Sequence, residues 1–190
     1  MKTRISKPSI TNPGLLLAIS IVLLIPGEMS AEYQKPVTID TFVRAESDVA
    51  IKKFYEGFGL STLYHNWGPI PIDKQTVIRM NRDTLYSSAV IDLTKPATVI
   101  MPATGGRYMS LHVINQDHYS YAMTKPGRYE LTREKVGTRY AYLIIRTFID
   151  GDDPEAIKAA NATQDEIKIE GGGSGPLEIP NWNIDQLLTA

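Results

Sequence analysis

A mainly β fold with flanking helices (α+β), an antiparallel β-sandwich with one helix before the strands and one after, is predicted from three observations. From Gln75 onward, apolar and polar residues alternate in short runs, the period of strands with one buried face. Turn signals rich in Gly and Pro separate those runs at regular intervals, which favours an antiparallel sandwich over βαβ units. Helical spacing of apolar residues appears only before and after that stretch.

Residues 32–39 read as an extended lead-in. Asp40 or Thr41 is suited to N-cap a helix, because either side chain accepts from an orphan backbone N–H one turn on. Phe42, Ala45, Val49, Phe54 and Phe58 recur at near-helical spacing, and Gly57 and Gly59 mark the end. Residues 64–71 hold Gly68, Pro69 and Pro71, breakers too close together for regular structure. Strands are expected at Thr76–Met80, Thr84–Leu93, Ala97–Met101, Tyr108–Gln116, Tyr119–Met123, Arg128–Thr132 and Thr138–Ile149, with Asn81-Arg82-Asp83 as one of the turns. Asp153 as N-cap, Pro154 at the first helical position and Glu155 in the first turn start a second helix, expected to run to about Lys168. Residues 171–176 read as a flexible linker by composition. Asp185 then caps the opening of a further helical turn, too short to be stable without packing partners.

The first 31 residues have the composition of a secretory signal peptide. Lys2, Arg4 and Lys7 form a positive start, Gly14 to Ile25 an apolar run, and Pro26-Gly27 a breaker before the small residues Ser30 and Ala31. A membrane anchor needs about 20 apolar residues, and this run is shorter, so no stable membrane span is expected. Cleavage near Ala31 and release into a periplasm or outside the cell are expected instead. Removing three of the 20 basic residues and one of the 21 acidic ones leaves 17 and 20, a formal net of −3. That balance lacks the basic footprint of a nucleic-acid binder. The chain has no Cys, which excludes disulfides, thiolate chemistry and a lipidated N-terminal Cys.

The stretch Val77-Ile78-Arg79-Met80-Asn81-Arg82-Asp83-Thr84-Leu85-Tyr86-Ser87-Ser88 resembles the bacterial family catalogued as "domain of unknown function 1254". Residues 104–110, 113–119, 137–140 and 145–148 are similar to further blocks of that family, and the likeness runs from about Thr38 to Trp182. The resemblance implies export, antiparallel β-sandwich architecture and a second domain, "domain of unknown function 1214", following the first. It implies no particular reaction. The expected organisation is a signal peptide over 1–31, one sandwich domain over 32–182, and over 183–190 the start of a connection to a second domain that this chain lacks.

Parity along the strands gathers the polar candidates. Tyr86 shares a face with Ser88; Tyr108 with Ser110 and His112; Tyr140 with Tyr142 and Arg146. If these faces adjoin, they make a wall of phenols, hydroxyls, one imidazole and one guanidinium, suited to sugars or aromatic ligands. The plainer reading is a solvated outer sheet face, since Tyr, Ser and Thr are ordinary strand residues. Arg146 stands apart. Flanked by Ile144, Ile145, Phe148 and Ile149, it is expected to be partly buried, and a buried guanidinium needs an acceptor. Asp83, Asp92, Asp117 or a ligand carboxylate would serve.

His112, Asp117 and Arg146 are the catalytic candidates. Asn81, Asp83, Tyr86, Tyr108, Asn115, His118 and Tyr140 are the candidates for ligand binding. Asp117 beside His118 makes an acid/base pair only if a turn lies there, because neighbours on one strand point to opposite faces. His112 and His118 share a metal only if the chain folds back at Asn115–Asp117, since six strand residues span about 20 Å. No metal and no cofactor are expected: there is no HExxH motif, phosphate-cradling Gly loop or nucleophile elbow. The Asp150, Asp152, Asp153 cluster lacks the spacing of a calcium loop. Two functions fit. One is a periplasmic binding or assembly module for a small molecule or carbohydrate, partnered by a separate second domain or a second copy. The other is a periplasmic enzyme acting on an envelope carbohydrate or small organic acid.

Overall fold

The structure is a computed structural model and describes residues 33–75 and 81–189. The expected signal peptide and the expected strand Thr76–Met80 lie outside the described residues.

Helix α1 (Phe42–Phe58) precedes β1 (Tyr64–His65), β2 (Thr84–Asp92), β3 (Ala97–Met101), β4 (Met109–Asn115), β5 (Ser120–Met123) and β6 (Gly127–Leu131). A four-residue helix, α2 (Arg133–Val136), leads to β7 (Tyr140–Phe148), α3 (Pro154–Asp165), β8 (Lys168–Gly171) and α4 (Ile184–Thr189). The strands form a five-stranded sheet in the order β1-β2-β7-β4-β5 and a three-stranded sheet in the order β6-β3-β8. All the strand pairings are antiparallel.

The period-two pattern fixes what each face does. Ala89 and Ile91 of β2, Leu111 and Val113 of β4, and Ala141, Leu143 and Ile145 of β7 all have odd numbers and point one way. They pack with Ala97, Val99 and Met101 of β3 and with Leu131 and Ile167 to form the main core between the sheets. Even-numbered residues form the outer face of the large sheet. There α1 lays Ile51 and Phe54 on Val90 and Tyr140, flanked by Tyr142, Leu177 and Ile179. A sandwich with helices on both sides of the strand run is what the sequence patterning predicts.

Four local expectations need correction. The helix after β7 ends at Asp165, and Lys168 begins a strand that pairs with β3. Residues 171–176 are not a loose linker at their start: Gly172 donates to Pro96 O at 2.9 Å and Gly173 to Asp92 O at 2.7 Å. A Cβ on Gly171 would lie 2.6 Å from Pro96 O, so glycine is selected there by close approach of two backbones. Tyr64 and His65, placed in an irregular stretch, pair with Ser88 and Ser87 as an edge strand. The final helix is capped by Asn183, whose Oδ1 accepts from Gln186 N at 3.1 Å, in place of Asp185. It also has the packing partners that so short a helix needs: Leu187 is buried with Trp182 and Ala45 of α1.

Candidate functional site

The central strand β7 brings the polar candidates of three strands into register. Tyr86 faces Arg146 on one side, and Ser110 faces it on the other, giving a row Tyr86–Arg146–Ser110. The next row toward the middle of the sheet is Tyr64–Ser88–Ile144–His112–Ala122. The side-chain period of two puts both rows on the outer face, and α1 occupies the half of that face around Val90, Tyr140 and Tyr142. The faces inferred separately for β2, β4 and β7 do adjoin.

Arg146 is the unusual member of this set. Its Cζ lies 5.6 Å from the centroid of the Tyr86 ring, a cation–π distance. Its Nε is buried and donates to nothing among the described residues, and the Oγ of Ser110 across the strand is equally unpartnered. Ser110 is 1% exposed. A buried guanidinium nitrogen without an acceptor costs stability, as does a buried hydroxyl. These two groups face each other across β4 and β7, so the cost falls on neighbouring positions of one row.

None of the three aspartates expected as partners reaches Arg146. Asp92 receives both Nε (3.1 Å) and Nη2 (3.0 Å) of Arg139. Asp117 receives Arg44 Nε at 2.8 Å and its Nη2 as well. Asp83 sits at the start of β2 in a turn closed by its own N–H donating to Asn81 Oδ1 at 2.7 Å. Asn81 and Asp83 therefore have the turn-forming role that Asx residues commonly take.

The other candidates divide into two groups. His112 is diagonal to Arg146 across β4 and β7, a neighbour relation of roughly 7–8 Å. Tyr86 belongs to the same row, and Tyr108, 53% exposed, stands at the nearby sheet end. There Phe148 N donates to Tyr108 O at 2.9 Å, beside an open depression of about 570 Å³ lined by Arg107, Tyr108, Phe148 and Asp150 among others.

The second group lies at the opposite end of β4. Five residues separate Ser110 from Asn115, about 16 Å of strand, and the chain then folds back through Gln116–Tyr119 into β5. This turn is the condition under which Asp117 and His118 could act together, yet each is engaged elsewhere. Asp117 holds Arg44, and His118, at φ 65°, places Nδ1 3.2 Å from Ser47 Oγ. Asn115 Oδ1 accepts from the N–H groups of Asp117 and Tyr119, and its Nδ2 donates to Val136 O, so it builds the turn. Tyr140, though of the outer-face parity, is buried under α1, and its hydroxyl accepts from Glu178 N at 2.8 Å. The structure thus brings His112 and Arg146 together and leaves Asp117 apart. Among the described residues, no group of three or more His, Asp or Glu is placed to hold a metal ion, and no helix is long and apolar enough to cross a membrane.

One polar centre has no counterpart in the sequence-derived list. Asp48 of α1 is fully buried, accepting from Gln116 Nε2 at 2.6 Å and from Trp182 Nε1 at 3.0 Å. Gln116 Oε1 in turn accepts from Tyr140 N at 3.1 Å. The signal was present: Ala45, Asp48 and Ile51 are spaced by three, which puts an acid on the buried stripe of a helix. His65 likewise meets Ser87 Oγ at 2.7 Å, and burial holds its pKa below 6.5 against the opposing pull of Asp165.

The family profile described as "Protein of unknown function (DUF1254)" matches residues 60–171. No curated protein matches the sequence. Among solved structures, the chain is similar to the VPA0106 protein from Vibrio parahaemolyticus, with a TM-score of 0.55 and 19% identity. That likeness covers 73% of this chain and 40% of the other, so the matched part spans about two fifths of that protein's length.

Proposed function

We propose that this chain, which belongs to the DUF1254 family of proteins of unknown function, is an exported binding module for a small molecule or carbohydrate carrying a carboxylate. The observation that carries this reading is the Tyr86–Arg146–Ser110 row. A guanidinium whose buried Nε meets no acceptor among the described residues, beside an unpartnered hydroxyl, suits the fork geometry of a carboxylate. Tyr86 offers a flat apolar surface of the kind sugar rings stack on. The leader of Lys2, Arg4, Lys7 and the apolar run that follows supports export to a periplasm. The 40% coverage of the Vibrio protein supports assembly with a second domain, on the same or a separate chain.

An enzyme of the envelope is the second reading, favoured by one observation: His112 is diagonal to Arg146 on the same face. It would supply the acid/base group, with Arg146 holding the substrate's anion; Asp117, bound to Arg44 at the other end of β4, has no part in it.

A thermal-shift comparison of galacturonate with galactose tests the proposal. Galacturonate at 100 times its dissociation constant stabilises the fold by about 2.7 kcal/mol, galactose does not, and Arg146→Ala abolishes the difference. Equal response to the acid and the neutral sugar, or an unchanged response in Arg146→Ala, contradicts it. Slow consumption of the acid that disappears in His112→Ala would identify the enzyme.

A further inference from the structure

A second cavity, of about 280 Å³, opens at the far end of the sheet from Arg146. Its wall includes Lys35, Asp48, Gln116, Arg133, Tyr140 and Trp182. Arg44 and Arg139 also line it, but their charges are already met, by Asp117 and by Asp92 and Glu178. Lys35 and Arg133 make no ion pair among the described residues, and Lys35 Nζ rests 4.5 Å from the centroid of the Trp182 ring. The cavity lining therefore has two cations without a carboxylate partner among the described residues, Lys35 resting on the Trp182 ring, and it also includes Glu178, held by Arg139.

The same lining holds the opposite charge at its most buried point. Asp48 is 0% exposed, and its two oxygens accept one hydrogen bond each, from Gln116 and from Trp182. A carboxylate has about four acceptor positions, and the two donors occupy one on each oxygen. A cavity just below the usual size for drug-like ligands, with cations and a buried acceptor, selects a small molecule that is anionic at one end and a hydrogen-bond donor at the other.

We propose that this cavity is a binding site, separate from the Arg146 face, for a small α-substituted carboxylic acid. Its carboxylate is received by Lys35 and Arg133, and its α-hydroxyl or α-ammonium donates to Asp48. Arg44 and Arg139, held by their own partners, form a rigid wall. Without the donor, the ligand would leave the acceptor positions of a buried carboxylate facing an apolar group, a mismatch that sites of this kind reject strongly.

The chain has two Trp, so its indole N–H signals are readily told apart, with Trp67→Phe settling which is which. Trp182 Nε1 donates directly to Asp48 and reports on the acceptor itself. In ¹⁵N-labelled chain titrated with L-lactate, L-alanine or propionate, lactate or alanine moves the Trp182 signal and leaves Trp67 in place. Whichever of the two binds identifies the donor as hydroxyl or ammonium. Propionate, which lacks a donor, acts at least tenfold more weakly. Lys35→Ala with Arg133→Ala weakens binding at least tenfold, and Arg133→Ala alone serves if the double variant unfolds. Arg146→Ala titrates like the parent. The proposal is overturned if neither lactate nor alanine moves Trp182, if propionate matches them, if the cation variants bind normally, or if Arg146→Ala abolishes the response.

Discussion

Arg139 clasps Asp92 with two hydrogen bonds, Nε to Oδ1 at 3.1 Å and Nη2 to Oδ2 at 3.0 Å, around a carboxylate that is 1% exposed. Burial pushes the Asp92 pKa up. Hydrogen bonds from Arg139 and from the N–H of Thr94 outweigh it and hold the carboxyl below its ordinary 3.8. Because the folded value is depressed, the stabilisation is fully present above pH 3.8 and is lost as pH falls through the lower folded value. Asp92→Asn is expected to destabilise the chain by about 2 kcal/mol at neutral pH. It should also flatten the acid limb of stability against pH, as measured by urea melts between pH 2 and 7.

The glycines after β8 provide a second test. A Cβ on Gly173 would lie 2.2 Å from Thr94 Oγ1 and 2.8 Å from Asp92 Cγ, whereas one on Gly175 meets nothing within 4 Å. Gly173→Ala is expected to cost roughly 1–3 kcal/mol by overpacking, and Gly175→Ala well under 1 kcal/mol. In a flexible linker both would be neutral. Thr94→Ala should recover part of the loss, because it removes the nearest clash and leaves the second.

The C-terminal segment is tied to α1 by Leu187 and by the Trp182 indole, which alone of the two donates a hydrogen bond to Asp48. Trp182→Phe keeps most of the packing against Ala45 and Leu187 but deletes the donor to Asp48. The expected cost is about 1–3 kcal/mol, the penalty for an under-satisfied buried polar group. Thermal melts of Trp182→Phe alone and combined with Asp48→Asn check it; the combined loss should fall short of the sum of the two single losses.

How far the sequence reaches is seen in particular residues. Period two locates β2, β3, β4 and β7 to within about two residues, because one face of each meets the main core along its length. The same parity groups Tyr86 with Ser88, Ser110 with His112, and Tyr140 with Arg146 strand by strand, and leaves open whether the three faces adjoin. Register and partner choice are not local. Nothing near Arg139 or Asp92 in sequence says that they pair across 47 residues, nor that Asp117 belongs to Arg44. Short elements are hidden for a related reason. β1, α2 and β8 have two to four residues each, too few for a period, and they exist because of what they pack against. The glycine run misleads because its composition is shared by flexible linkers and by close backbone approach.

If Arg146 serves a ligand and not the fold, the equilibrium stability of Arg146→Met shows it without that ligand being known. Methionine fills much of the same volume and removes a buried donor that has no acceptor among the described residues. Urea denaturation of the two proteins without ligand should show the variant more stable by about 1 kcal/mol, with an unchanged slope. A loss of more than about 1 kcal/mol would mean that Arg146 holds the sheet together and is not reserved for a ligand.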